Sequence, residues 1–273
     1  MPTLPSEEPR GAHQERAMAE SFGEDPERYD RTRPRYPEAL IEAVVAASPG
    51  PDVLDVGCGT GIASRQLQAA GCRVLGVEPD ARMAALARRL GTPAEVATFE
   101  AWEPDGRTFD AVTAAQAWHW VDPVAGAAKA ARVLRSGGLL ALFWNALEFP
   151  AGLREGVADA CARALPDAPF DVRAVMARPA VETYGAGLDR TADAIVEAGG
   201  FGVPRRWRFD WECAYGRDEL LDQLPTFGVF TRLPADRMER VLEDVGALVD
   251  AAGGSVSVRY ATLAVVAERT GGA

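Results

Sequence analysis

The stretch from Val53 to Gly61, VLDVGCGTG, constrains this chain more than any other. Val53 to Val56 reads as a short buried strand that ends at a glycine. Ile62 to Ala70 then reads as a helix, and Gly71 closes it. Between them, glycines at 57, 59 and 61 let the backbone turn tightly and come close to a ligand. The first amides of the following helix face that ligand. In an open α/β sheet, the crevice at the carboxyl end of such a strand is where a ligand is expected.

The rest of the chain repeats this rhythm. Arg73 to Val77 reads as a second buried strand. Asp80 caps a helix whose apolar positions Met83, Leu86, Ala87 and Leu90 follow helical spacing, and Gly91 ends it. Ala94 to Ala97 is a short third strand and Phe109 to Ala115 a fourth. A helix from Pro123 to Leu134 and a Ser136-Gly137-Gly138 turn lead into a fifth strand, Leu139 to Trp144. Alternation of this kind implies an α/β fold, with a parallel sheet and helices on both faces. It loosens over 150–190, where prolines and glycines surround a helical piece near Arg154 to Leu165. That segment reads as an insertion over the carboxyl edge of the sheet. Thr191 to Ala198 reads as a helix, Arg205 to Tyr215 as a strand, Glu219 to Leu224 and Ala235 to Ala251 as helices, and Ser257 to Glu268 as a long final strand.

Spacing separates two cofactor types. A dinucleotide fingerprint, GxGxxG, would put its third glycine at 62, where this chain has Ile62. Asp55 would repel a pyrophosphate and suits a cationic amino acid moiety instead. Glu78 ends the second strand and can accept hydrogen bonds from both hydroxyls of a ribose, a feature common to both cofactors. The set fits S-adenosylmethionine (SAM), which has no phosphate, better than NAD.

Composition narrows the partners. The formal net charge is −11, from 29 basic and 40 acidic residues, and such a surface repels nucleic acid. No apolar run approaches the roughly 18–20 residues of a membrane helix. Met1 to Gly11 is polar and proline-rich, unlike a secretory signal, and is expected to be a disordered tail. Cys58, Cys72, Cys161 and Cys213 are scattered, without a CxxC pair, as expected of buried thiols in a reducing, cytoplasmic compartment.

The glycine segment, Asp55 and Glu78 together resemble the class I SAM-dependent methyltransferases, and the match runs over residues 20–145. Tyr29 to Pro37 (YDRTRPRYP), Ala115 to Asp122 (AQAWHWVD) and Arg132 to Asn145 (RVLRSGGLLALFWN) are similar to the branch that contains trans-aconitate methyltransferases and related small-molecule enzymes. The resemblance implies a Rossmann-like, seven-stranded, mostly parallel sheet with an antiparallel last strand, and a small cap insertion. It divides the chain into a tail (1–20), N-terminal lid helices (21–50), a SAM-binding core (51–148), a substrate cap (149–190), and a segment (191–273) that completes the sheet and adds a helical part of the cap. It also implies roles. Gly57, Cys58, Gly59, Thr60 and Gly61 would hold the methionine part of SAM, with Asp55 at its amino group. Glu78 would bind the ribose, and Pro79 and Met83 would line the adenine. Thr98, Phe99 and Glu100 would form the loop beside the adenine, although Trp102 and Glu103 stand where Leu-Pro is common. Gln116, Ala117 and Trp118 would lie beside the methionine and the sulfonium. Tyr29, Arg33 and Tyr36 would reach the substrate from the lid.

These expectations amount to an enzyme that moves a methyl group from SAM to a small molecule and leaves S-adenosylhomocysteine. An oxygen acceptor, a carboxylate or hydroxyl, is favoured by the resemblance; nitrogen and carbon stay open, as does a SAM-binding protein without methyl transfer. Methyl transfer from a sulfonium is an in-line displacement, so the protein mainly aligns and desolvates. A hydroxyl acceptor benefits from a base; a carboxylate does not. His119 follows the fourth strand and is a candidate base, its ordinary pKa of about 6.5 being suited to that work, or a residue that shapes the pocket. Trp118 and Trp120 flank it. Trp120, Trp144 and Asn145 are expected to border the substrate, with Asn145 holding an acceptor oxygen or capping its strand. No oxygen-ligand cluster is evident, so no metal is expected.

Overall fold

The computed structural model describes residues 21–168 and 171–271. The tail expected over the first 20 residues lies outside the described residues, as does His13. The strands are β1 (Asp52–Val56), β2 (Arg73–Glu78), β3 (Ala94–Val96), β4 (Phe109–Ala115), β5 (Leu134–Glu148), β6 (Arg205–Gly216) and β7 (Ser255–Glu268). They form one sheet in the order β3-β2-β1-β4-β5-β7-β6. Strands β1 to β5 pair in parallel, and β7 runs antiparallel between β5 and β6. This is the fold class expected above, last strand included.

The helices are α1 (Pro26–Thr32), α2 (Glu38–Ala47), α3 (Ile62–Ala69), α4 (Ala81–Arg89), α5 (Pro123–Val133), α6 (Ala151–Ala164), α7 (Val172–Ala177), α8 (Ala180–Ala198), α9 (Arg217–Gln223) and α10 (Ala235–Ala251). Asp80 accepts from the amides of Arg82 and Met83 to start α4, and Asp122 does the same for α5 through Val124 and Ala125. Alternate strand residues feed two cores. Leu54, Val56, Val112, Ala114, Leu140 and Leu142 pack on one face with Ala127, Ala130, Leu188 and Ile195, from α5 and α8. Val53, Ala111, Leu139, Ala141 and Phe143 pack on the other with Leu40, Ile41, Val44, Ile62 and Leu67, from α2 and α3. Covering a parallel sheet on both faces is why its strands read as nearly unbroken apolar runs.

Three expectations change. Strand β5 does not begin after the glycine turn: it starts at Leu134, and Ser136 to Gly138 form an irregularity where the register shifts between Phe109 and Ala111. Nor does it end at Trp144. Pairing with β7 continues to Glu148 opposite Arg259, so Asn145 lies inside the strand and does not cap it. The helix expected from Thr191 starts at Ala180 and runs unbroken across residue 190.

A third apolar cluster, termed the cap below for its place beyond the end of β5, completes the described chain. Leu147 and Phe149 lead into it. Leu153, Val157 and Cys161 of α6 pack there with Leu220 of α9, and with Val241, Val245 and Val249 of α10. It therefore joins two stretches of chain, whereas Leu188 and Ile195 of α8 belong to the main core. Among the described residues, no helix is long and apolar enough to cross a membrane.

Candidate functional site

The turn after β1 requires its glycines. Gly57, Gly59 and Gly61 have φ of 63°, 56° and 86°, a region other residues enter at a cost. A Cβ on Gly57 would stand 2.4 Å from the Ala117 Cβ, and one on Gly61 2.8 Å from Thr92 Oγ1. The Gly57 amide donates to Val77 O at 2.7 Å, which ties the turn to the end of β2. Gly59 looks toward Met83, whose Cε would lie 4.0 Å from an added Cβ.

Glu78 closes the turn from the side. Its Oε2 accepts from the Gly59 amide and its Oε1 from the Asp80 amide, each at 2.9 Å. Burial raises its pKa to about 7, against the lowering effect of those two bonds. Asp55 is more enclosed, at 1% exposure. Ser64 Oγ donates to its Oδ2 at 2.5 Å and Thr113 Oγ1 to its Oδ1 at 2.8 Å, so the carboxylate joins β1 to α3 and β4. Burial pushes it up to about 6.

A cleft opens on the outer side of the turn. Gly57, Cys58, Gly59 and Thr60 form its floor, with Ile62 and Ala63 at the start of α3. Ala115, Gln116 and Asn145 form one wall, and Tyr29, Arg33, Pro34 and Tyr36 of the N-terminal segment form the other. Gln116 has φ of 57°, unusual for a residue with a side chain. Its amide donates to Phe143 O at 2.9 Å and its Nε2 to Asn145 O at 3.2 Å. Asn145 Oδ1 accepts from Thr262 Oγ1 at 2.7 Å. Tyr36 is fixed by Gln66, which accepts from its amide and donates to its carbonyl.

The other expected residues stand elsewhere. Asp55 does not line the cleft; Ser64 and Thr113 occupy both its oxygens. Trp118, 2% exposed, is in the main core, with its ring 6.1 Å from Phe99, itself 2% exposed. Glu100 accepts from the Asp122 amide at 2.9 Å, and Lys129 on α5 donates to Glu100 O at 3.0 Å. The indole of Trp102 stacks on Phe99, and its Nε1 donates to Glu95 Oε2 at 2.5 Å. The departure from Leu-Pro thus builds core. Gly61, Glu78, Pro79, Met83, Thr98 and Ala117 are not among the residues that line the cleft. His119 also lies outside it. Its Nδ1 accepts from Trp144 Nε1 at 3.4 Å, and its ring lies 4.7 Å from that of Trp120. Burial lowers its pKa to about 4.

The sequence reading missed Asp30. It accepts from Thr60 Oγ1 at 2.7 Å and from Arg65 Nη2 at 2.6 Å, so it latches α1 onto the glycine turn. At the other side of α1, Asp222 of α9 accepts from Arg28 at 2.8 Å and from Arg31 at 2.7 Å. The alternation of charge in YDRTRPRYP carried a signal for such pairing, but not for the partners.

Residues 54–142 match a family described as a methyltransferase domain. Over that stretch, from β1 into β5, the chain is similar to methyltransferase domains. Uncharacterized methyltransferases of Mycobacterium tuberculosis and Mycobacterium bovis are 42% identical over 132 residues, which is 48% of this chain and 54% of theirs. The chain thus spans about half the length of the curated relatives it matches. A ubiquinone biosynthesis O-methyltransferase of Methylocella silvestris is 36% identical over 95 residues, 32% of this chain and 37% of its own. Among solved structures, a protein of Anaeromyxobacter dehalogenans described as a type II methyltransferase covers 86% of this chain and 97% of its own, at 24% identity and a TM-score of 0.59. One of Anabaena variabilis, described as a methyltransferase from an antibiotic biosynthesis pathway, covers 83% and 96% at 16% identity and 0.55. These two likenesses show the fold alone.

The residues present fit SAM in two respects and differ in one. The glycine turn forms the floor of the cleft with backbone held at positive φ. Glu78, whose oxygens each hold one backbone amide, keeps lone pairs for two ribose hydroxyls. The amino group of the methionine part, by contrast, finds no Asp55 in the cleft.

Proposed function

We propose that this chain transfers a methyl group from SAM to an oxygen atom of a small-molecule acceptor. The observation that carries the reading is the Glu78 carboxylate, buried at the end of β2 and bonded to the amide of Gly59 in a turn whose three glycines all have positive φ. Gly57 to Gly61 would hold the methionine part, Glu78 the ribose, and Pro79, Met83 and the Thr98–Glu100 loop the adenine. SAM supplies the electrophilic methyl group; this chain aligns the acceptor with it and keeps water out. Arg33, Tyr29 and Tyr36 close the cleft from the N-terminal side, and Gln116 and Asn145 from the sheet side.

His119 has a positioning role in this reading. With Nδ1 accepting from Trp144, a neutral ring carries its proton on Nε2 and is a donor there, not a base. A pKa of about 4 keeps it neutral at ordinary pH. A carboxylate acceptor, which needs no base, agrees with that state, and the Methylocella relative is itself named as an O-methyltransferase. The cleft under the α1 segment suits a small molecule, and the net charge of −11 disfavours nucleic acid. Cys58, Cys72 and Cys161 are buried free thiols and Cys213 a partly exposed one, as suits a reducing cytoplasm.

The test is calorimetric titration with S-adenosylhomocysteine and, separately, NADH, followed by a screen of carboxylate and hydroxyl acceptors with SAM. Binding of S-adenosylhomocysteine alone, lost in Glu78→Ala, together with a methylated oxygen product, is the expected result. Preference for NADH would end the cofactor reading, and binding without any methylated product would end the transfer reading.

A further inference from the structure

Strand β6 is the last in the sheet, so its backbone over 206–212 pairs with β7 on one side and leaves the other edge open. An open edge of this kind is a template for another chain. Its side chains alternate between two faces. Arg206, Arg208, Asp210 and Glu212 share one face and are exposed; Trp207, Phe209 and Trp211 share the other and are half-buried. The aromatic row is ordered. The rings of Trp207 and Phe209 meet edge to face at 6.5 Å, and Trp211 stacks on Tyr260 at 4.4 Å. The charged row has only surface contacts. Arg206 pairs with Asp189 of α8, Arg208 pairs with Asp210 at 2.9 Å, and Glu212 accepts from Ser257 Oγ at 3.2 Å. Exposed pairs of this kind contribute little and can be exchanged for others.

The order of these residues is complementary to itself. Two copies of β6 can run antiparallel about a two-fold axis at Phe209. On the exposed face, Arg206 then stands opposite the partner's Glu212 and Arg208 opposite the partner's Asp210. On the other face, Trp207 stands opposite the partner's Trp211 and Phe209 opposite the partner's Phe209. Opposite charges and aromatic pairs are the favourable cross-strand neighbours. An axis one residue earlier would set Arg208 against the partner's Arg208, and one residue later Asp210 against the partner's Asp210. Charges on a strand edge commonly deter pairing; here their order deters the neighbouring registers and favours this one. We propose that a second copy of this chain pairs with β6 edge to edge, antiparallel, with the two-fold axis at Phe209, so that the two sheets become continuous. The proposal does not depend on the reading under Proposed function.

The experiment is sedimentation equilibrium over a concentration series, with each variant checked for folding by thermal melting. Wild type is expected to show a reversible monomer–dimer equilibrium. Arg206→Glu/Arg208→Glu makes the exposed face wholly acidic, and Asp210→Arg/Glu212→Arg makes it wholly basic. Each variant alone should raise the dimer dissociation constant at least about tenfold, and an equimolar mixture of the two should form a heterodimer. Register is tested within one chain. Arg206→Glu/Glu212→Arg restores opposite charges across the axis and should dimerise as wild type does, whereas Arg206→Glu/Asp210→Arg should not. Should either face reversal fail to fold, Arg206→Glu alone against Arg206→Glu/Glu212→Arg carries the same comparison. A wild type that stays monomeric at every concentration overturns the proposal. So does a dimer indifferent to these variants, or a mixture of the two reversed faces that does not pair.

Discussion

Asp55 and Glu78 are both buried carboxylates that have hydrogen-bond donors and, among the described residues, no ion-pair partner; their surroundings give them different work. Both oxygens of Asp55 are taken by hydroxyls of the protein. Asp55→Ala would leave Ser64 and Thr113 unpaired in the core and should cost about 2–4 kcal/mol in denaturant unfolding. Asp55→Asn can accept from one hydroxyl and donate to the other, so it should lose much less and bind S-adenosylhomocysteine as wild type does. A large affinity loss in Asp55→Asn would return this residue to the cofactor. Glu78 is held by two amides and retains capacity for ligand hydroxyls. Its pKa of about 7 lies above its unfolded value, so it favours the folded state fully at low pH, and that contribution is lost as pH rises through about 7. Ligand hydroxyls prefer the ionised form and reverse the penalty. Affinity for S-adenosylhomocysteine should therefore rise up to roughly tenfold per pH unit below about 7 and level off above it, with proton release visible as a buffer-dependent enthalpy. A flat affinity profile in wild type would remove Glu78 from the ribose. The presence of both acids was legible in VLDVGCGTG and in Val77-Glu78-Pro79. Their division of labour was not, because the hydroxyls that occupy Asp55 come from positions 64 and 113, outside the motif.

At the scale of elements, local signals were the readable ones. Asp80 and Asp122 announce their helices as caps, and the glycine spacing announces its turn; each depends on neighbours a few residues away. The length of β5 was hidden because pairing with β7, more than 100 residues later, extends it to Glu148 past the point where the apolar pattern stops. Helix α1 depended still more on distant partners. Asp30 ties it to Thr60 and Arg65 at one side, while burial works against the Asp222 carboxylate at the other, yet its bonds to Arg31 and Arg28 hold it below the usual carboxylate range. An element held by polar contacts at its two sides, with no fully buried residue of its own, is built to detach without disturbing the core. Asp30→Ala removes the acceptor for both Thr60 and Arg65. It should leave the melting temperature of the chain nearly unchanged and speed the dissociation of S-adenosylhomocysteine severalfold in stopped-flow displacement. Unchanged dissociation would mean that the ligand escapes by a route that does not pass under α1.

At the scale of the molecule, the sheet and the cap are joined covalently where β5 runs into α6, β6 into α9 and α10 into β7, and by side chains through the bridge that α1 makes between the glycine turn and α9. That bridge borders the cleft, whose lining comes from the glycine turn, the ends of β4 and β5 and the segment that starts with α1. The Asp222 pairs are half-exposed, and such pairs contribute little to stability. Their importance lies in where they reach. Asp222→Asn should therefore unfold at nearly the wild-type denaturant concentration while its N-terminal segment becomes more open to protease in the unliganded protein. Saturating S-adenosylhomocysteine should restore most of the protection, since a ligand that binds only the closed arrangement shifts the equilibrium toward it by its differential affinity. Limited proteolysis followed by mass spectrometry locates the cuts. Cleavage before Pro37 that is fast without ligand and slow with it is the expected pattern. Equal protection with and without ligand would show that α1 stays docked through contacts to the cap alone, and that the cleft fills and empties without it.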